Sequence, residues 1–131
     1  MKFLLDTSIF LWALSYPGRL TNQAHTILKG HREALWLSAA SVWEIAVKYQ
    51  LGKLPLPASP EVCILDWASA GGMKTLDITP QHALGAGALP LHHQDPFDRM
   101  LIAQARLEGM TLLTADRVFE KYAVEMIWCG A

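Results

Sequence analysis

Cysteine is scarce in this chain, and so is charge of either sign in excess. Cys63 and Cys129 are the two thiols. Their spacing matches neither a metal-binding nor a redox motif, which excludes a disulfide scaffold and a structural zinc cage, and it fits a reducing compartment with both thiols in or near the core. Eleven basic side chains against twelve acidic ones leave a net charge of −1. No wholesale basic footprint is present, so any nucleic-acid contact must be local and helped by a partner, a second copy or bound cations. No apolar run approaches the roughly 20 residues that span a bilayer. Residues 1–14 are apolar enough to mimic a signal peptide, but Asp6 interrupts them and Ser15-Tyr16-Pro17-Gly18-Arg19 is a poor small-residue cleavage site. A cytoplasmic protein is expected. Internal repeats and low-complexity segments are also missing.

What is present is a chain of 131 residues, 52% hydrophobic, which is enough for a single domain over residues 1–131 with its own core. Short apolar runs at 2–5, 34–37, 75–78, 110–113 and 124–128 read as strands, and helical stretches separate them. The start signals are local. Thr21, Ser59-Pro60, Thr79-Pro80 and Asp95-Pro96 each put a capping side chain before a helix, three of them followed by proline at the first helical position. Gly52 and Gly109 follow two helical runs at the left-handed stop position. Residues 115–122 read as a short helix. Strands separated by helices imply parallel pairing with helices on both faces of the sheet. The expected fold is therefore α/β, three layers around a central parallel sheet of about five short strands.

In such sheets ligands sit beyond the carboxyl ends of the strands. Asp6 follows the first predicted strand directly, and Asp116 comes just after the fourth in Leu113-Thr114-Ala115-Asp116. Glu44 interrupts a nearly unbroken apolar run from Val42 to Val47, and Asp98 falls on the first turn of a mostly apolar helix. Each acid also has an ordinary explanation. Asp6 or Asp116 can cap a helix; Ser38 or Ser41 can open the helix that carries Glu44, and Ser41 and Glu44 have capping-box spacing, with Lys48 one turn further on; Asp98 can favour the positive end of the helix that Asp95 caps. The joint pattern outweighs the single members, because clustered carboxylates repel and need protons or cations. Magnesium suits an all-oxygen set and is commonly shared with substrate phosphates. One or two such ions activate water and orient a phosphodiester for in-line displacement, with a glutamate or aspartate accepting the water proton.

Several neighbours carry charge toward the same rim. Lys48, Lys53, Arg99 and Arg117 are candidates for contacts with substrate phosphate, Arg99 first among them because it adjoins Asp98 and can alternatively hold that carboxylate in place. His92 and His93 beside Asp95 invite a metal-cluster reading, but adjacent loop histidines seldom point at one ion. A phosphatase using Asp6 as nucleophile would want a second acid two residues on, where Ser8 stands. A phospho-acceptor domain would need an acid pair at the first strand and an aspartate ending a middle strand, which Asp77 fits poorly.

At these residues the chain resembles the PIN-domain ribonucleases, and in particular the VapC-type toxins. The resemblance runs from Phe3-Leu4-Leu5-Asp6-Thr7-Ser8 through Ser38-Ala39-Ala40-Ser41-Val42-Trp43-Glu44 and Leu51-Gly52-Lys53-Leu54. It continues with His93-Gln94-Asp95-Pro96-Phe97-Asp98-Arg99 and closes on Leu113-Thr114-Ala115-Asp116. The resemblance implies Asp6, Glu44, Asp98 and Asp116 as the acidic metal site, supported by Thr114, and magnesium- or manganese-dependent cleavage of RNA. It also implies a cognate antitoxin as partner and a homodimer. The alternative is a PIN-like module that binds RNA or protein without cleaving it; retention of all four acids favours catalysis.

Overall fold

Phe3–Leu5 (β1) forms the centre of a five-stranded parallel sheet in the computed structural model, which describes residues 1–131. On one side of it lie Leu35–Ser38 (β2) and then Lys74–Leu76 (β3); on the other lie Thr111–Thr114 (β4) and then Met126–Trp128 (β5). The spatial order is β3-β2-β1-β4-β5, with every pairing parallel. The chain thus builds outward from β1 in one direction, then returns to the opposite side with β4. That reversal makes a topological switch point between β1 and β4, where crevices open at the carboxyl edge of such sheets.

Six α-helices connect the strands: Thr7–Ser15 (α1), Asn22–Gly30 (α2), Ala39–Gln50 (α3), Pro60–Ser69 (α4), Pro80–Ala88 (α5) and Pro96–Glu108 (α6). The period of two along each strand divides the core. Phe3, Leu5, Leu35, Leu37 and Leu113 point to one side and pack with Ile9 and Phe10 of α1, Ala24 and Ile27 of α2 and Ile45 of α3. Ile64 and Trp67 of α4 cover the same core. Leu4, Leu76 and Leu112 point the other way and pack with Leu101, Ile102 and Ala105 of α6. Both faces of the sheet are thus apolar, which is why the strands read as continuous hydrophobic runs rather than as alternating ones. Each fully buried leucine contributes about 1.5 to 3 kcal/mol through removal from water.

The expected α/β/α architecture is the observed one, and the local start signals are where the sequence puts them. The side chains of Thr21, Ser59, Thr79 and Asp95 each accept a backbone N–H of the first turn that follows. Gly52 and Gly109 take positive φ, 71° and 66°. Residues 115–122 hold a shorter element than expected, a 3₁₀ turn over Arg117–Lys121. The Ser41–Glu44 capping box is not formed. Strand β2 runs on to Ser38, whose hydroxyl caps α3 by accepting from Ala40 N, so Ser41 and Glu44 both fall inside the helix. Cys63 and Cys129 are buried free thiols, and burial pushes the Cys129 thiol up to about 11. No helix is long and apolar enough to cross a membrane.

Candidate metal centre

The switch point brings the first acid to its place. Asp6 N donates to Leu113 O at 2.9 Å, so the residue leaving β1 is locked to β4. Asp6 occupies the N-cap position of α1, yet its side chain caps nothing. Its Oδ2 instead accepts from Thr114 Oγ1 at 2.8 Å and from Ser8 Oγ at 3.3 Å. Thr114 therefore supports the carboxylate, and the capping explanation for Asp6 fails.

Glu44 arrives from the middle of α3 and Asp98 from the first turn of α6. Thr7 Oγ1 donates to Ser41 Oγ at 2.9 Å, which fastens the start of α1 to α3 one turn before Glu44. Trp43 and Phe97, each next to an acid, meet edge to face with ring centroids 5.2 Å apart and tie α3 to α6. Asp95 caps α6 through Oδ1, which accepts from Phe97 N and Asp98 N at 2.9 and 3.2 Å. Asp116 caps the following 3₁₀ turn by accepting from Val118 N at 3.0 Å, so its capping role is present, while its exposed carboxylate still faces the group. Asp6, Glu44, Asp95, Asp98 and Asp116 all line one cleft of about 700 Å³.

Electrostatics mark this as an unsatisfied site. Burial, then the negative charge of Asp98, pushes Asp6 up to about 7, against the opposing hydrogen bonds from Thr114 and Ser8. Burial likewise lifts Asp98 to about 6, with repulsion from Asp95 and Glu44 adding to it and the hydrogen bond from His93 opposing it. Glu44 is 5% exposed; Lys48 Nζ donates to its Oε2, whereas buried Oε1 has no hydrogen-bond partner. A buried, unpartnered carboxylate oxygen beside two carboxyls that resist ionisation fits a site built to receive a cation. The donors are oxygens, which fit magnesium or manganese.

The basic neighbours separate. Lys48 pairs with Glu44, which raises its pKa. Arg117 pairs with Glu120 at 2.6 Å and lies 3.8 Å over the Trp128 ring. Both still line the cleft, and Lys53, which also lines it, has no carboxylate partner. Arg99 corrects the sequence expectation. It is 8% exposed, and its guanidinium donates to the carbonyl oxygens of Ala86, Gly87, Leu89, Pro90 and His93 at 2.8 to 3.4 Å. It is a buried clamp on the end of α5 and the loop beyond, with no free face for phosphate. The residue that sequence reasoning passed over is His93. His92 turns to the Tyr122 ring, but His93 Nε2 lies 2.7 Å from Asp98 Oδ2. His93, Asp98 and Asp116 place their ligand atoms within 4.8 Å of one another. The signal was the position of His93 on the loop entering α6; nothing local told its ring direction.

An α/β/α fold whose acids converge at the switch point agrees with what sequence comparison finds: the PIN domain family model matches residues 3–125, and the chain belongs to that family. Among its relatives is Ribonuclease VapC22 of Mycobacterium tuberculosis, 32% identical over 117 residues that cover 87% of this chain and 86% of that protein. Ribonuclease VapC16 of the same organism is 38% identical over 61 residues, 47% of this chain and 43% of that protein. Among solved structures, VapBC2 from Rickettsia felis, bound to a DNA fragment from its promoter, matches with a TM-score of 0.75 at 15% identity over 98% of this chain and 99% of that one. DNA-bound VapBC from Salmonella typhimurium matches with a TM-score of 0.72 at 18% identity over 97% of each chain. At these identities the structural likeness concerns the fold.

Proposed function

We propose that this chain is a single-domain, divalent-cation-dependent endoribonuclease and the toxin of a toxin–antitoxin pair. The observation that carries the reading is Glu44 Oε1, buried and unpartnered in a cleft where Asp6 and Asp98 are both held above the ordinary carboxylate range. In this reading Asp6, Glu44, Asp98 and Asp116 hold magnesium or manganese. The cation supplies Lewis acidity and charge neutralisation at the scissile phosphodiester. Thr114 and Ser8 keep Asp6 turned into the cleft, and Asp95 fixes the first turn of α6 so that Asp98 is presented to it. Lys53 is the cleft cation free to meet the RNA backbone, with Lys48 and Arg117 at its flanks. The ribonuclease relatives and the VapBC complexes support RNA as substrate and an antitoxin as partner. A homodimer and a cytoplasmic location complete the proposal.

The purified chain, freed of any partner, is expected to cut single-stranded RNA with Mg²⁺ or Mn²⁺ and to stop when EDTA is added. Binding of RNA without cleavage in either cation would return the non-catalytic module to favour. Arrest of growth on expression would separate a toxin from a housekeeping nuclease. Replacement of Lys53 by alanine is expected to raise KM with little change in kcat. The plot of log affinity for uncleaved RNA against log salt should become shallower by roughly 0.7, the share of one phosphate contact on a single strand. An unchanged slope would remove Lys53 from the interface.

A further inference from the structure

His93 lies on the loop that leads into α6, and both of its peptide groups are fixed by side chains. His93 N donates to the Tyr122 hydroxyl oxygen at 2.9 Å, and Arg99 Nη1 donates to His93 O at 3.1 Å. The same two side chains meet again at Pro90 O, which accepts from Tyr122 at 2.8 Å and from Arg99 at 3.0 Å. Surface loops ordinarily leave such groups to water and move accordingly. Here a buried guanidinium and a phenol hold the backbone on either side of one imidazole, and that imidazole is set 2.7 Å from Asp98.

We infer that His93 is a positioning residue for Asp98: it anchors Oδ2 and so selects the carboxylate orientation in which the other oxygen is left to ligate the cation. The inference rests on the cation-site reading above. An aspartate on the first turn of a helix has several staggered side-chain orientations open to it, and a hydrogen bond to a fixed ring chooses among them. Choosing in advance removes an ordering cost from cation binding, which is how partners one step behind a ligand raise affinity. Direct ligation by His93 is the competing role, since its ligand atom lies within 4.8 Å of those of Asp98 and Asp116, and the experiment is chosen to separate the two. The His93 side chain is 24% exposed and that of Asp98 16%, so loss of the ring opens no deep cavity and the effect falls on the cation rather than on folding.

The test uses Mn²⁺ titrated into the full chain and followed by loss of the free-ion electron paramagnetic resonance signal. His93→Ala is expected to weaken Mn²⁺ binding by about 10- to 100-fold, with the cation-free melting temperature unchanged. His93→Gln, whose amide N–H donates over a similar reach, is expected to recover most of that loss. Equal Mn²⁺ affinity in wild type and His93→Ala overturns the inference. So does a His93→Gln variant as weak as alanine together with nitrogen coupling to Mn²⁺ in the wild type, which makes His93 a ligand. Wild-type protein that takes up no Mn²⁺ brings down this inference and the cation site together. Wild-type protein that binds Mn²⁺ but cleaves no RNA removes only the nuclease reading.

Discussion

Asparagine at position 6 is expected to silence cation-dependent RNA cleavage and, at the same time, to make the cation-free protein more stable at neutral pH. The two effects have one cause. Asp6 is buried against Asp98 and Glu44, and its pKa rises from 3.8 to about 7. A carboxyl with a folded pKa above its unfolded one binds its proton more tightly in the fold. The stability it contributes is complete below about pH 4 and is lost as pH rises to about 7. Asp98, lifted to about 6, acts with the same sign over the lower part of that window. At about 1.4 kcal/mol for each pH unit separating folded and unfolded pKa values, ionised Asp6 costs the empty fold on the order of a few kcal/mol. Asparagine keeps an oxygen for Thr114 and removes the charge. In EDTA, wild-type protein should melt lower at pH 7.5 than at pH 5, and Asp6→Asn should flatten that slope and gain on the order of 10 °C at pH 7.5. Cleavage should fall by more than about 100-fold, since loss of a ligand costs more than loss of the group behind one. A variant that melts below wild type at pH 7.5 would show that the acids do not repel as described.

Leucine at position 99 is expected to cost at least about 3 kcal/mol of folding stability. Leucine supplies apolar volume but no donor, so the carbonyls of Ala86, Gly87, Leu89 and His93 lose the side chain they share, while Pro90 O keeps its bond from Tyr122. Buried acceptors left unmade cost about 1 to 3 kcal/mol each where water cannot replace the donor. Lysine does not rescue, because a single ammonium carries three donors and cannot span a set spread from the end of α5 to the His93 loop. The measurement is urea unfolding of Arg99→Leu and Arg99→Lys beside wild type. A phosphate-binding arginine would behave in the opposite way, leaving the unfolding midpoint alone and flattening the salt dependence of RNA binding.

Sequence carried the features that are decided within a turn or two of chain. Thr21, Ser59, Thr79 and Asp95 are caps because the donors they need are two or three residues away. Parallel pairing was legible from the alternation of strands and helices. Errors arose where a neighbour in sequence stood for a neighbour in space. Arg99 adjoins Asp98, but successive helical residues point about 100° apart, so the guanidinium turns under α5 while the carboxylate faces the cleft. Ser38 and Ser41 could each open α3 by local signals, and the strand that extends to Ser38 decides for the first, leaving Ser41 and Glu44 inside the helix. His93 was passed over because its ring is aimed by Tyr122, 29 residues on, and by Arg99. The acids themselves were legible only as misfits in apolar surroundings; their convergence needed the strand order.

That strand order has a consequence for how the protein is made. The central strand is the first to leave the ribosome, while its partner β4 comes more than a hundred residues later, and the bond from Thr114 to Asp6 joins positions 108 apart. Pairings of such long separation form late, because the loop they close must be ordered first. A nascent chain interrupted before Thr114 therefore lacks Asp116 and leaves Asp6 without its threonine. The cleft with its full set of acids is therefore assembled only after synthesis has passed the last of them.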